Sequence, residues 1–324
     1  MDRRKFLALA MAGSAWLLMG HSPYGQWYRF RASRLIIVTD KANGSALPLG
    51  EAVARVLARY RPETRAMIGT TSSSLDTVKL LESRQLHVAL LTADEAWEAL
   101  QGIGKFEDWE VPLRTLAVLD SRFLHLVTLE GRGISGIPDL KGKRVATGTP
   151  GSRTEIKTGR VLEAYGIDPG KDIRQEPLTL PEAVTALKAG TIDALAQDDT
   201  IPNEVIRDLA ATPGMTIRLL NHGEAALKMR ERYGRIYHRG TIPQGTYPGV
   251  DTDVTVAATA HLLVCRKDFP RDRAYQLAKA LAEHQAEWAS PQQGVHQVAL
   301  RNAPLGSSLP FHPGALDYYQ EKNR

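Results

Sequence analysis

The sequence predicts an α/β protein of two similar lobes, and three observations carry that prediction. Short apolar strand signals alternate with helical periodicity from Leu35 to Asp94, the pattern of a mostly parallel sheet covered on both faces. A second round of alternation begins at Asp139. The rounds also echo each other: the stretch from Leu81 to Val88 resembles the stretch from Leu187 to Ala194, each a helix end, a polar turn and a buried strand. With 324 residues, 43% of them hydrophobic, the chain is long enough to give each lobe a core.

Taken in order, Leu35 to Thr39 is a buried strand, followed by a loop from Asp40 to Leu47. Pro48 suits the first turn of a helix, whose apolar face is Leu49, Val53, Val56, Leu57 and Tyr60. Met67-Ile68 is a second strand. Gly69 to Ser74 leads into a helix through Leu75, Val78 and Leu81. His87 to Leu91 is a third strand, and Thr92-Ala93-Asp94 opens another helix. Two separate strands are expected at Leu116 to Leu119 and His125 to Leu129.

The stretch from Asp139 to Glu155 is the clearest local signal. Val145 to Thr147 is a short strand, Gly148-Thr149-Pro150-Gly151 a turn, and Ser152-Arg153-Thr154-Glu155 a helix start with capping-box spacing. Free N–H groups and a positive helix end there would suit an anion. A strand-to-helix turn needs glycine and a cap in any case, so the pattern also admits a purely structural role. Helices then follow at Thr179 to Ala189, Pro202 to Ala211 and Glu224 to Tyr233, with strands at Ile192 to Ala196 and Thr216 to Leu220. Gly240 to Gly249 reads as a loop and Val254 to Val264 as a long strand. One helix is expected from Asp272 to Trp288 and a last one through Ala315 to Tyr319.

The amino terminus carries an address. Arg3-Arg4 precede Phe6-Leu7 and an apolar stretch running to Gly20, too short and too rich in alanine and glycine to span a bilayer comfortably. The order resembles a twin-arginine export signal. Asp2 stands where serine or threonine is usual, so an ordinary secretory route stays open. No small-x-small cleavage site follows Gly20, and retention as a membrane anchor through an uncleaved amino terminus is the alternative. Residues 1–32 are therefore read as an export signal or anchor and the location as periplasmic.

The formal charge is +5 with basic residues spread along the chain, which excludes a dense nucleic-acid footprint. The single cysteine, Cys265, excludes an internal disulfide and a cysteine-based metal site. No zincin, nucleophile-elbow or P-loop motif is present. His284 and Glu287, one turn apart, read as a surface pair, and Asp198-Asp199 as turn or cap residues or a cation or acid–base pair. No catalytic residue, metal or cofactor is expected. Ligands in open α/β sheets sit beyond the carboxyl ends of strands. That rule gathers Asn43, Gly44, Ser45 and Leu47, then Thr71, Ser72 and Ser73, then Thr92 and Asp94 from one lobe. From the other it gathers Ser152, Arg153 and Thr154, then Gln197 and Asp198. Hydroxyls, amides and helix starts suit a small polar anion.

Four stretches in order carry a family resemblance: Thr39 to Gly50, Asp139 to Glu155, Ile242 to Gly249, and Phe311 to Ala315 with Tyr318-Tyr319. Together they resemble the extracytoplasmic solute-binding proteins of the TAXI type that feed TRAP transporters. The resemblance implies a type II periplasmic-binding-protein fold: two α/β lobes joined by crossover hinge strands, near His125 to Leu129 and Ala257 to Val264, around a central cleft. Lobe I would comprise 33–128 with 255–324, and lobe II 129–254. It implies a small organic-acid or amino-acid ligand, glutamate- or 2-oxoglutarate-like, a TRAP-type membrane permease as partner, no cofactor, and Tyr247 as a further ligand residue. The chain departs from the family at Ala46-Leu47, where two aromatics are usual, at Arg153, where glycine is usual, and at Ala194 to Asp198. A ligand-sensing adaptor of the same fold on a membrane signalling partner, or an exported enzyme, are the alternative readings.

Overall fold

The computed structural model describes residues 35–40, 46–289 and 306–322. The export segment and the site candidates Asn43, Gly44 and Ser45 lie outside the described residues. The first round of alternation gives β1 (Ile36–Asp40), α1 (Ala46–Tyr60), β2 (Met67–Thr71), α2 (Ser74–Glu82), β3 (Val88–Thr92) and α3 (Ala93–Gln101). A long strand, β4 (Leu113–Leu129), follows. The second round is β5 (Arg144–Ala146), α4 (Arg153–Ala164), β6 (Arg174–Glu176), α5 (Leu180–Ala189), β7 (Ala194–Asp199) and α6 (Glu204–Ala210). It continues through β8 (Ile217–Leu219), α7 (Ala225–Tyr233) and β9 (His238–Ile242) to a second long strand, β10 (Val254–Arg266). Three helices close the chain: α8 (Arg271–Glu283), α9 (Gln285–Trp288) and α10 (Pro313–Lys322).

The strands order as β2-β1-β3-β10-β4-β7-β5-β6, with β8 on β4 and β9 on β10. β1 is parallel to β2 and β3, and every residue of β3 is buried, as a strand covered on both faces requires. β4 and β10 belong to both lobes. The first part of β4 pairs antiparallel with β10 from Leu113↔Arg266 to Phe123↔Ala258, and its last part pairs with β7 and β8. β10 in turn joins β3 through His261 to Cys265 and β9 through Val254 to Ala258. The large core runs through both rounds, from Ile37, Leu57 and Leu90 to Val145, Val161 and Leu162, and a smaller one gathers Phe123, Val127, Leu187, Leu195 and Ile206.

Three expectations change. The two strands expected between Leu116 and Leu129 are one, because the polar residues that suggested a break are satisfied within it. Asp120 meets His261 across the β4–β10 ladder, with Oδ1 2.6 Å from Nδ1, and Ser121 Oγ lies 3.2 Å from His238 Nε2. The expected loop from Gly240 starts inside β9, which β10 pairs from Val254↔Ile242 to Ala258↔His238. The expected helix from Asp272 to Trp288 breaks at His284, whose ring stacks on Tyr60. Glu287 there meets Arg59 at 3.2 Å and His284 at 3.7 Å, the surface pair expected from sequence. At the chain's end, α10 lies on α8 with backbone nearly in contact: a Cβ at Gly314 would sit 2.0 Å from the carbonyl oxygen of Arg271.

Candidate functional site

Two helices begin at the centre of the molecule, one from each lobe. At the start of α3, Glu95 accepts from the backbone N–H of Thr92 at 3.2 Å and from its hydroxyl at 2.9 Å. At the start of α4, Ser152 Oγ accepts from Glu155 N–H at 3.2 Å. The Glu155 carboxylate accepts from the N–H of Gly151 at 2.6 Å, one residue short of the capping box that the spacing suggests. The turn needs its glycine: at Gly148, with φ +97°, a Cβ would lie 2.8 Å from Thr154 and 2.9 Å from Ser152.

Between these helix starts lies a polar cavity of about 80 Å³. Thr92 and Asp94 line it from the first lobe. Arg153, Lys157 and Arg160 line it from α4, and Arg122, Asp198 and Thr259 from the strands below. Arg153, Lys157 and Arg160 fall at i, i+4 and i+7, which puts them on one helix face. The cavity thus has carboxylates on the wall formed by α3 and cations on the wall formed by α4. Arg153 Nη2 reaches across to 3.8 Å from Glu95 Oε1. Arg160 stacks over the Tyr233 ring at 4.2 Å and donates to the Tyr237 hydroxyl.

The floor is a buried ionic network. Lys157 Nζ donates to Asp198 Oδ1, to Thr259 Oγ1 at 2.9 Å and to the carbonyl oxygen of Arg122 at 3.3 Å. Thr259 and Arg122 are register partners on β10 and β4, so Lys157 ties α4 to both crossover strands. Arg122 Nη2 donates to the Asp198 carbonyl at 2.9 Å and to Asp199 Oδ1 at 3.2 Å. Burial alone would push the Asp198 carboxyl up, but Lys157 and Arg122 outweigh it and hold it below the ordinary carboxylate range. Asp94 follows the same logic, with Arg153 and a hydrogen bond from Thr92 outweighing burial. Burial pulls Lys157 below its ordinary value, and Asp198 pushes back.

Of the residues named from sequence, Thr92, Asp94, Arg153 and Asp198 line the cavity. Thr154 stands behind them, its hydroxyl accepting from Asp198 N–H at 3.1 Å, and Ser152 caps α4. Gln197 is half-buried on β7, with its side chain over the Asp198 carbonyl at 3.4 Å. Thr71, Ser72 and Ser73 stand at the carboxyl end of β2, where Ser73 caps α2, and Leu47 lies in the first turn of α1. Tyr247 is buried in the smaller core, its hydroxyl 2.8 Å from His125 Nε2 and accepting from Asn203 N–H at 2.8 Å. Sequence reasoning missed Lys157, Arg160 and Arg122. The i, i+4, i+7 spacing that puts Arg153, Lys157 and Arg160 on one basic face is a signal in the sequence, whereas the polar centre of β4 reads there as a break. A larger groove, about 440 Å³, lies at the amino-terminal ends of β1 and β3 between Leu35, His87 and Arg273. The smaller cavity is the better candidate, because it stands at the carboxyl ends of the strands and collects the buried charges.

The family model described as the NMT1-like family matches residues 37–322. Among solved structures, a TctC solute binding protein from Polaromonas, without ligand, is 15% identical over 90% of this chain and 97% of its own, with a TM-score of 0.55. The periplasmic aliphatic sulphonate binding protein SsuA from Escherichia coli is 16% identical over 89% of this chain and 83% of its own, with a TM-score of 0.48. The likeness to the first shows the fold, which is that of type II periplasmic binding proteins: two α/β lobes, two shared strands and a central cleft.

Proposed function

We propose, on the premise that the chain belongs to the NMT1-like family, that it is an extracytoplasmic solute-binding protein of the TAXI type. It captures a small organic anion, a carboxylate or amino acid of the glutamate or 2-oxoglutarate kind, and delivers it to a TRAP-type membrane permease. Residues 1–32 export the chain to the periplasm and, if uncleaved, anchor it there. The lobes divide as 33–128 with 255–324 and 129–254, and they close on ligand about β4 and β10. The observation that carries this reading is the polar cavity between two helix starts, with Arg153 and Arg160 on its wall. A helix amino terminus and a guanidinium together suit a carboxylate. Capture and release need no bond to be broken, and the protein acts without turnover.

A thermal-shift screen against organic acids and amino acids tests the reading, since a ligand that binds only the native state raises apparent stability by RT ln(1 + [L]/Kd). At least one such acid should raise the melting temperature in a saturable way. A protein that melts at the same temperature with every acid of the panel would remove the cleft from solute binding.

A further inference from the structure

The buried network at the cavity floor leaves one acceptor unused. Lys157 has three N–H donors, and all three are spent on Asp198 Oδ1, Thr259 Oγ1 and the Arg122 carbonyl. The lysine is therefore a staple for the crossover strands and offers no hydrogen bond to a ligand. On Asp198, Oδ1 receives Lys157 and the backbone N–H donates to Thr154. Oδ2 is buried and has no hydrogen-bond donor among the described residues. Arg122 Nε stands 3.8 Å away, near enough for charge but too far for a hydrogen bond. The Asp198 side chain is 1% exposed and it lines the cavity. A buried carboxylate oxygen in that position asks for a donor.

We infer that Asp198 Oδ2 is a selectivity acceptor: the cleft takes a carboxylic acid that also presents an N–H or O–H donor, and it rejects the corresponding 2-oxo acid. The inference rests on the solute-binding reading of this cleft and narrows it. The cationic wall of Arg153 and Arg160 receives the ligand carboxylate, and the floor receives the donor. An amino or hydroxy group satisfies Oδ2. An oxo group in the same place sets one acceptor against another and leaves the carboxylate oxygen unpaired, the situation in which a polar site discriminates most strongly.

Matched acids that differ only at one carbon test this. Calorimetry would compare alanine, lactate and pyruvate, and then glutamate, 2-hydroxyglutarate and 2-oxoglutarate, on the wild-type protein and on Asp198→Asn. In at least one set, the wild type should bind the amino or hydroxy acid about ten- to a hundred-fold tighter than the oxo acid. Tighter binding of the amino member identifies an ammonium donor, and tighter binding of the hydroxy member a hydroxyl. In Asp198→Asn the gap should close or invert, because an amide can turn its N–H toward an oxo oxygen. Should the single variant fail to fold, Asp198→Asn with Lys157→Met removes both halves of the buried pair and is read the same way. Wild-type binding without preference for a donor overturns the inference alone, and so do variants that keep the wild-type gap or lose every acid alike. Failure of the wild type to bind any of these acids, with no shift in the wider screen, removes the solute-binding reading and this inference with it.

Discussion

Arg153 is the first residue of α4 and carries its guanidinium into the cavity from the second lobe, 3.8 Å from Glu95 of the first. Its side chain is 36% exposed, so it meets solvent and a ligand on equal terms. A charge-assisted hydrogen bond contributes about 1.5 to 3 kcal/mol. Arg153→Ala is therefore expected to weaken ligand binding roughly ten- to a hundred-fold, and Arg153→Lys to restore only part of it, since an ammonium lacks the planar two-point grip. Calorimetry with an acid found by thermal shift measures both, and an alanine variant binding as tightly as wild type would take Arg153 out of the site. The residue was legible in the sequence because its setting is local: a turn, a cap and a helix start within seven positions. Glu155, its local acidic neighbour, is committed to Gly151, and only the fold reveals Glu95 opposite. The spacing places Lys157 on the same basic face of α4, but its role as a buried staple is not legible there. Its partners Asp198 and Thr259 lie 41 and 102 residues away, and no local spacing encodes such a meeting.

Helix α10 shows how far an element can be read from its own sequence. Its presence through Ala315 to Tyr319 follows from composition, but its fit does not. The helix is held on α8 by a two-point ion pair between Arg271 and Asp317, at 2.6 and 2.7 Å, and by Tyr275 donating to Glu321 at 2.7 Å. Gly314 lets the two backbones approach. A methyl group there meets a carbonyl that cannot rotate away, so Gly314→Ala should destabilise the protein by about 1 to 3 kcal/mol or more, the ordinary cost of overpacking. Urea unfolding measures it as a lowered midpoint with little change in slope, and an unchanged midpoint would show that α10 shifts without cost. β4 presents the reverse case. Its ends were recognised, and its middle was not, because Asp120, Ser121 and Arg122 resemble loop residues until their partners on β10, β9 and β7 are in place.

Over the whole molecule, buried histidines set the response to acid. Burial lowers His222 and His238 from 6.5 to about 4 each, and it lowers His125 as well. The unfolded chain takes up these protons below pH 6.5, while in the folded protein His222 and His238 resist until about pH 4 and His125 also resists. The unfolded state thus binds more protons in that window, and stability falls as pH falls through it, by on the order of a few kcal/mol per ring. Asp94, Asp120 and Asp198 are held low by their cationic partners. Their contribution persists through this window and is lost only below the ordinary carboxylate range. Melting temperatures should therefore decline between pH 6.5 and 4, and a flat profile there would contradict the neutral, buried state of these rings. The two-lobe plan was legible from alternation alone, since each βα unit declares itself locally. The sharing of β4 and β10 between lobes was expected only through family resemblance, since strand pairing is a long-range property. Cys265 is fully buried in β10, and burial pushes its thiol up, so it resists alkylation. Cysteines introduced at Ile103 and Leu227, exposed by 47% and 56% and assigned to opposite lobes by the proposed division of the chain, would then be the only reactive thiols. The natural residue can stay in place while a pair of dyes reports the distance between the lobes.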